Sequence, residues 1–147
     1  MYNKQGRIIA LFRVNTISKE LERLSSLSLR KEGIEGDKHY GKNPERMILL
    51  SSLKSYQIVK EALQLHLPEG YLGENILVDT DLYHLLPGTR LRIGEKTYIE
   101  ITQNCTLCSH LGTLDKRIPK LLKNDRGIFA KTVKEGIIQE GDIIEWI

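Results

Sequence analysis

The pattern of apolar and polar positions predicts a chain built mainly from short strands. Residues 6–14 are rich in Ile, Leu and Phe and predict a first strand that is buried on both faces. Polar and apolar side chains alternate along residues 97–103, and a tight connection at residues 94–96 pairs this strand with residues 90–93 as a hairpin. Strands are predicted at residues 6–14, 46–50, 76–78, 90–93, 97–103, 127–133 and 142–147.

One amphipathic helix is predicted over about residues 53–65. Its apolar side chains recur at near-helical spacing, and either of two preceding serines, Ser51 or Ser52, is able to cap its amino terminus. Residues 109–124 are rich in Leu and Lys, but Pro119 allows only two short helical pieces or a kinked helix there. Helices are therefore expected to be few and short.

The predicted elements favour a mainly β fold, a closed or nearly closed β-barrel with a few short helices, over a parallel α/β sheet. Residues 15–45 are polar and contain closely spaced glycines, so this stretch is predicted to be a loop with at most a short strand. A nucleotide-binding fold is excluded because the chain has no Gly-x-Gly-x-x-Gly loop and residues 88–96 lack phosphate-loop spacing.

Length and composition describe one globular domain, residues 1–147. The net charge of +3 is too small to indicate nucleic acid as a partner, and it suits a small anionic ligand equally well. The apolar runs are far shorter than the roughly 20 residues of a membrane helix, and the amino-terminal run is too short for a signal peptide. We therefore expect no membrane partner, a cytoplasmic location and reduced cysteines.

The two cysteines of the chain, Cys105 and Cys108, come directly after the predicted strand at residues 97–103. A thiol at a strand end is carried by a rigid element and still reaches the surface. The spacing by itself is compatible with two buried structural thiols, a dithiol redox pair, or a single reactive or metal-ligating thiolate. A zinc site is a further alternative, with His110 and His39 completing four ligands.

An ordered set of short motifs runs from about Gly33 to the end of the chain. The motifs are Gly33-Ile34-Glu35-Gly36-Asp37-Lys38-His39, Arg46, Leu72-Gly73-Glu74-Asn75-Ile76, Thr102-Gln103 with Cys108 five residues on, Gly127, Gly136 and Gly141-Asp142. In this order and at this spacing they resemble the MOSC family, the carboxy-terminal domain of molybdenum cofactor sulfurases. Several ordered pieces rarely coincide by chance, so the resemblance is specific.

The resemblance implies a β-rich barrel in which Cys108 either carries sulfur as a persulfide or coordinates molybdenum of a bound pterin, the molybdenum cofactor (molybdopterin). The sequence departs from the common pattern at Leu107, where proline often precedes the cysteine. It also adds Cys105, which could resolve a persulfide.

Two mechanisms follow from the resemblance. As a sulfur carrier, the Cys108 thiolate would take sulfur from a cysteine desulfurase, and a molybdoenzyme is the other expected partner. Pyridoxal phosphate would belong to the desulfurase alone, since its domain does not fit in this length. As an oxidoreductase, the protein would hold molybdenum on Cys108 and act on a small, N-hydroxylated substrate. A non-catalytic zinc or interaction module is the third alternative.

Five further residues are candidates for binding the cofactor or another small ligand. Lys38, His39 and Arg46 would stabilise a thiolate, and the guanidinium fork makes Arg46 the candidate anion binder. Asn75 offers a donor and an acceptor to a pterin edge, and Glu74 could accept a hydrogen bond or act as a base. The alternatives are a solvated strand-edge charge for Arg46 and a turn cap for the Glu-Asn pair.

Three of the motif residues are predicted to act through the backbone. Asp37 is interpreted mainly as a turn residue, because aspartate accepts local backbone hydrogen bonds. Gly36 and Gly73 are predicted to adopt positive φ or to let the backbone approach a ligand.

Overall fold

Eleven strands and two short helices make up the described part of the chain, residues 4–105 and 113–147 of the computed structural model. The strands are β1 (Lys4–Val14), β2 (Leu21–Leu24), β3 (Ser26–Arg30), β4 (Gly33–Ile34), β5 (Ile48–Ser52), β6 (Ile76–Val78), β7 (Arg90–Ile93), β8 (Thr97–Asn104), β9 (Ile128–Lys134), β10 (Gly136–Gln139) and β11 (Ile143–Trp146). The helices are α1 (Leu53–Leu63) and α2 (Ile118–Leu121). No helix of these described residues is long and apolar enough to cross a membrane.

Seven of the strands form a closed β-barrel in the order β1, β11, β7, β8, β9, β5, β6 and back to β1. Neighbouring strands are antiparallel except for β5 and β6, which run parallel. Strand β2 pairs with the second half of β1 outside the ring, and β10, β3 and β4 form a separate sheet. The predicted mainly β barrel is confirmed.

The barrel interior is filled by branched aliphatic side chains. Ile8, Leu50, Ile76, Ile99 and Ile128 belong to one core cluster and are essentially inaccessible to water. Each such side chain contributes about 1.5–3 kcal/mol when it is fully buried. The core therefore fixes the strand ends from which the loops of the candidate site leave.

Helix α1 lies outside the barrel and connects the parallel strands β5 and β6, a pairing that requires a crossover. The Ser52 hydroxyl caps it by accepting a hydrogen bond from the Lys54 N–H at 3.1 Å, and the helix ends at Gln64 with φ of 57°. Val59 packs in a second apolar cluster that includes Leu72. The predicted helix and its serine cap are confirmed.

The segment at residues 15–45 is more structured than predicted. It contains β2, β3 and β4, and β10 also forms where no strand was predicted. These strands have two to five residues, and β3 pairs with β10, which lies more than 100 positions later in the chain. This pairing joins segments that are distant in sequence, so the local alternation of polar and apolar residues could not predict it.

The remaining predicted elements fall close to their expected places. The β7–β8 hairpin is confirmed, with Ile93 opposite Thr97 across the predicted turn. Of the helical segment predicted at residues 109–124, the described part forms only the four-residue α2, which has proline in its first turn. The rest of that prediction falls partly on residues 106–112, outside the described residues.

Candidate functional site

A cavity of about 190 Å³ brings together the five ligand-binding candidates from the sequence. Lys38, His39, Arg46, Glu74 and Asn75 all line it. The other lining residues are Val14, Leu21, Asp37, Leu49, Leu72, Gly73, Cys105, Arg126 and Phe129. Most of them stand at strand ends or in the adjoining loops.

The candidate nucleophile and metal ligand, Cys108, lies outside the described residues. A wider, more open groove of about 630 Å³ beside Trp146 contains none of the candidate residues. The 190 Å³ cavity is therefore the candidate functional site, and we call it the central cavity.

Glu74 is a fully buried carboxyl group in the wall of the central cavity. Its Oε2 accepts a hydrogen bond from the Tyr56 hydroxyl at 2.5 Å, whereas its Oε1 has no hydrogen-bond partner among the described residues. Burial raises the pKa of Glu74, and the hydrogen bonds that it accepts offset this only in part. Burial and the nearby carboxyl also raise the pKa of Tyr56, so the phenol remains a donor.

Asp37 is buried and organises the loop that carries Lys38 and His39. Its Oδ1 accepts from the Val14 N–H at 2.8 Å; its Oδ2 accepts from the His39 N–H at 3.0 Å and lies 3.1 Å from His39 Nδ1. Burial raises the pKa of Asp37, but these hydrogen bonds outweigh it and hold the pKa below its usual value. Asp37 is thus an anchor of the site as well as a turn residue.

The side chain of Asn75 holds the cavity wall together. Its Oδ1 accepts from the Leu49 N–H at 2.9 Å, and its Nδ2 donates to the Phe12 carbonyl at 3.1 Å. These contacts join β5 to β1 across the start of β6. The Asn75 side-chain amide, which was expected to bind a pterin edge, therefore already forms hydrogen bonds with the main chain.

Arg46 is exposed, and its guanidinium lies over the Phe129 ring at 5.5 Å from the ring centroid. A guanidinium in this position gains cation–π attraction and keeps its N–H donors available. No carboxylate of the described residues forms an ion pair with it. The guanidinium of Arg46 is therefore held at the central cavity by the Phe129 ring.

Two further residues complete the central cavity: Cys105, which the sequence analysis considered as a zinc ligand or resolving thiol, and a buried arginine that it did not consider. Arg126 is only 4% exposed; its Nη1 donates to Cys105 Sγ at 2.9 Å and its Nη2 donates to the Leu72 carbonyl at 3.0 Å. The sequence signal for this arginine was slight: it directly precedes Gly127 at the start of a predicted strand.

Gly127 explains how the cysteine and arginine segments come together. A Cβ at this position would lie 2.9 Å from Leu49 Cδ1 and 3.2 Å from the Leu50 carbonyl oxygen, so a side chain would push the strands apart. The Cys105 N–H donates to the Gly127 carbonyl at 3.0 Å, which fixes the sulfur next to Arg126.

The predicted backbone role of two glycines agrees with their conformations. Gly36 and Gly73 have φ of +83° and +79°, and both flank residues that line the central cavity. At Gly36 a Cβ would also approach Arg13 Nη1 within 2.4 Å. These loops therefore depend on glycine for their course.

The charges of the central cavity favour an anionic ligand. Lys38, Arg46 and Arg126 contribute three positive charges and the Asp37 carboxylate, whose pKa is lowered, contributes one negative charge, whereas the raised pKa of Glu74 favours its neutral form. Among the described residues, no three His, Cys, Asp or Glu side chains are arranged to hold a metal ion. The zinc alternative involves Cys108 and His110, which lie outside those residues.

Comparison with known proteins agrees with this architecture. The family model of the MOSC domain matches residues 35–145, which is most of the chain. No curated protein sequence matches the chain. Three similar solved structures come from bacteria. The YUAD protein from Bacillus subtilis is 19% identical with a TM-score of 0.84, and the match covers 98% of this chain and 96% of that one.

The other two are YiiM proteins. YiiM from Geobacillus stearothermophilus is 15% identical with a TM-score of 0.76, covering 97% of this chain and 75% of that chain. YiiM from Escherichia coli is 19% identical with a TM-score of 0.69, and the match covers 96% of this chain and 69% of that chain. These structures share the fold, and the family model shares the sequence pattern from the first cavity loop to the last strand. This chain therefore belongs to the MOSC domain family.

Proposed function

We propose that this MOSC domain binds the molybdenum cofactor through an anionic group in the central cavity and carries sulfur as a persulfide on Cys108. One observation supports the proposal most directly. Four polar candidates from three segments of the chain, Lys38, His39, Arg46 and Glu74, line the same cavity as a cysteine whose sulfur accepts a hydrogen bond from a buried guanidinium. Cationic donors beside sulfur are the surroundings that a reactive thiolate needs.

The residues present fit an anionic part of the cofactor. Glu74 Oε1 and Arg126 Nε are buried and have no hydrogen-bond partner among the described residues, so a polar ligand would satisfy them. The volume of about 190 Å³ is smaller than the roughly 300–1,000 Å³ of pockets that enclose a whole drug-sized ligand. The described wall therefore suits one end of the cofactor.

Each cavity residue has a separate task in this proposal. Arg46 binds an anionic oxygen with its guanidinium fork, and Lys38 adds a point charge. Asp37 orients His39 through its hydrogen bonds to the loop. Glu74 in its neutral form is able to donate a proton to a ligand acceptor. When bound, the cofactor supplies two-electron chemistry at molybdenum.

Cys108 is the sulfur carrier in the proposal. It follows Cys105 by three positions in the sequence. The Cys108 thiolate attacks the outer sulfur of a cysteine desulfurase persulfide, so that a new S–S bond forms while the donor S–S bond breaks. The desulfurase thiolate leaves, and a molybdoenzyme is the expected acceptor of the sulfur. We place this exchange in the cytoplasm, where thiols stay reduced.

Intact-mass measurement after incubation with a cysteine desulfurase and cysteine tests the sulfur-carrier proposal. We expect wild type and Cys105→Ser to gain the mass of a sulfur atom, and Cys108→Ser to lose the part of the gain that depends on the desulfurase. Absence of added sulfur on Cys105→Ser would contradict it. Elemental analysis and activity assays of the same preparations distinguish the alternatives: stoichiometric molybdenum together with turnover of an N-hydroxylated substrate would indicate the oxidoreductase, and stoichiometric zinc would indicate the interaction module.

Anion binding by Arg46 has its own test. We expect Arg46→Gln to weaken cofactor binding at least about tenfold, because a charge-assisted hydrogen bond contributes roughly 1.5–3 kcal/mol. Arg90→Gln is the matched control, since Arg90 lines the wide groove beside Trp146 and not the central cavity. Equal affinity of the two variants, measured by fluorescence titration with the isolated cofactor, would remove Arg46 from the site.

A further inference from the structure

The charge of Arg126 has an unusual setting. The side chain is 4% exposed, and none of the described carboxylates forms an ion pair with it. Residues 1–3 and 106–112 contain neither Asp nor Glu, so the rest of the chain supplies no carboxylate either. A buried charge is costly unless an opposite charge or a full set of hydrogen bonds compensates it. Among residues 4–105 and 113–147, the group in contact with Arg126 that is able to become an anion is the sulfur of Cys105.

The sulfur of Cys105 adjoins two cavities. One is the central cavity; the other, of about 180 Å³, is lined by Tyr83, Asn104, Cys105, Lys123, Asn124 and Gly127. Cys105 is 8% exposed and lines both cavities. Lys123 adds an exposed positive charge at the second cavity.

Two buried polar atoms point independently to a ligand here. Glu74 Oε1 and Arg126 Nε lie in the wall of the central cavity without a hydrogen-bond partner among residues 4–105 and 113–147. Buried polar atoms are nearly always satisfied by protein, water or ligand. A small polar molecule held against the Arg126 guanidinium, next to the sulfur, would satisfy the Nε donor.

We propose that Cys105 is a second sulfur-accepting thiolate, paired with Arg126, which takes sulfur from a small hydropersulfide or polysulfide. This assignment rests on the sulfur-handling function proposed above and adds a second acceptor to it. The Cys105 sulfur attacks the outer sulfur of R–S–SH, a new S–S bond forms, and the donor S–S bond breaks with its electron pair leaving on R–S⁻. One neutral sulfur atom moves, so no further oxidant or reductant is required.

Arg126 acts as a positioning residue for this step. Its guanidinium compensates the thiolate before the transfer and the persulfide anion after it, because Nη1 points at the sulfur. Its second donor, fixed on the Leu72 carbonyl, keeps the guanidinium plane in place. Lysine at this position would retain the charge without the fork.

A Cys108→Ser background isolates the chemistry of Cys105. The alkylation rate with iodoacetamide is measured by intact mass between pH 5 and pH 9, with folding checked by circular dichroism. An ordinary cysteine thiol has a pKa of about 8.5. We expect the alkylation rate to reach half its maximum well below that pH. At pH 7, Arg126→Gln in this background should react at least about tenfold more slowly, whereas Arg126→Lys should recover part of the rate.

Sulfur transfer is tested with inorganic polysulfide as the probe. We expect Cys108→Ser to gain one sulfur atom, and Cys105→Ser/Cys108→Ser to gain none. A half-maximal alkylation near pH 8.5, or no sulfur on Cys108→Ser, would overturn the assignment even if the Arg126 variants failed to fold. The desulfurase experiment on Cys105→Ser reports on Cys108 alone, so failure of the proposed function is distinguishable from failure of this inference.

Discussion

At the scale of single residues, two acids in the wall of one cavity have opposite pKa shifts because their hydrogen bonds differ. Asp37 accepts from two backbone N–H groups and lies against the His39 ring, and these contacts hold its pKa down despite burial. Glu74 is equally buried but accepts from the Tyr56 hydroxyl with one oxygen only, and its pKa is raised. The Asp37 carboxylate thus holds the loop in place through its hydrogen bonds, whereas the Glu74 carboxyl group is able to remain neutral.

The raised pKa of Glu74 predicts a pH-dependent stability. Because the folded pKa lies above the unfolded value, the folded state binds more protons, and stability falls as pH rises from about 4.5 through the folded pKa. Glu74→Gln keeps an acceptor for Tyr56 and has no charge to bury. We expect this variant to be more stable than wild type by about 1–3 kcal/mol at pH 8 and to approach wild type at acidic pH.

Urea unfolding at several pH values between 4 and 8 measures this difference. Glu61→Gln is the matched control, since Glu61 is exposed on α1 outside the central cavity, and it should follow the wild-type pH dependence. A Glu74→Gln protein that is less stable than wild type at pH 8 would mean that the carboxylate form is the one the fold requires.

At the scale of elements, α1 links the fold to the site. It carries Tyr56, whose hydroxyl reaches Glu74 and also accepts from the Gly70 N–H at 3.1 Å. The position of the helix is set by its serine cap and by Val59 in the apolar cluster outside the barrel. A change at the start of α1 is therefore expected to move Tyr56 and, through it, Glu74 in the cavity wall.

Ser52→Ala removes the hydroxyl that caps α1. We expect a loss of about 1 kcal/mol in the free energy of unfolding, because the Lys54 N–H loses its acceptor. Ser26→Ala, at an exposed position of β3, is the control and should stay close to wild type. Urea denaturation measures both, and equal stability of the two variants would show that the cap contributes nothing.

The elements also show how far local sequence pattern extends. Strand β1, the β7–β8 hairpin and α1 were predicted because each is long enough, or closed by a tight enough turn, to express its own periodicity. Strands β2, β3, β4 and β10 were missed because they are short and depend on partners elsewhere in the chain. Their register comes from pairing, and pairing is not a local property.

At the scale of the whole molecule, β11 closes the barrel. It pairs with the first residues of β1 on one side and with β7 on the other, and it buries Ile144 and Trp146 in the core. Without it, two strand edges would be left open and the core would be exposed along its length.

Deletion of residues 143–147 tests the importance of this closure. We expect the shortened protein to lose its cooperative urea transition, because both the edge pairing and part of the core are removed. Circular dichroism is the suitable signal, since the deletion removes the single tryptophan of the chain. Deletion of the exposed Ile147 alone is the control and should preserve the transition. A cooperative transition with an unchanged midpoint in the longer deletion would contradict the role of β11.

The order of residues along the chain was sufficient to predict the mainly β architecture, the helix with its cap, the MOSC motifs and the residue types available to a ligand. These features depend on periodicity, turn chemistry and the ordered spacing of motifs, which are all properties of the linear sequence. Tertiary structure alone decided that Arg126 contacts Cys105, that Glu74 is buried against Tyr56, and that Asn75 is engaged with the main chain. These contacts join residues between 18 and 63 positions apart in the chain, and the protonation and reactivity of a side chain depend on such neighbours in space.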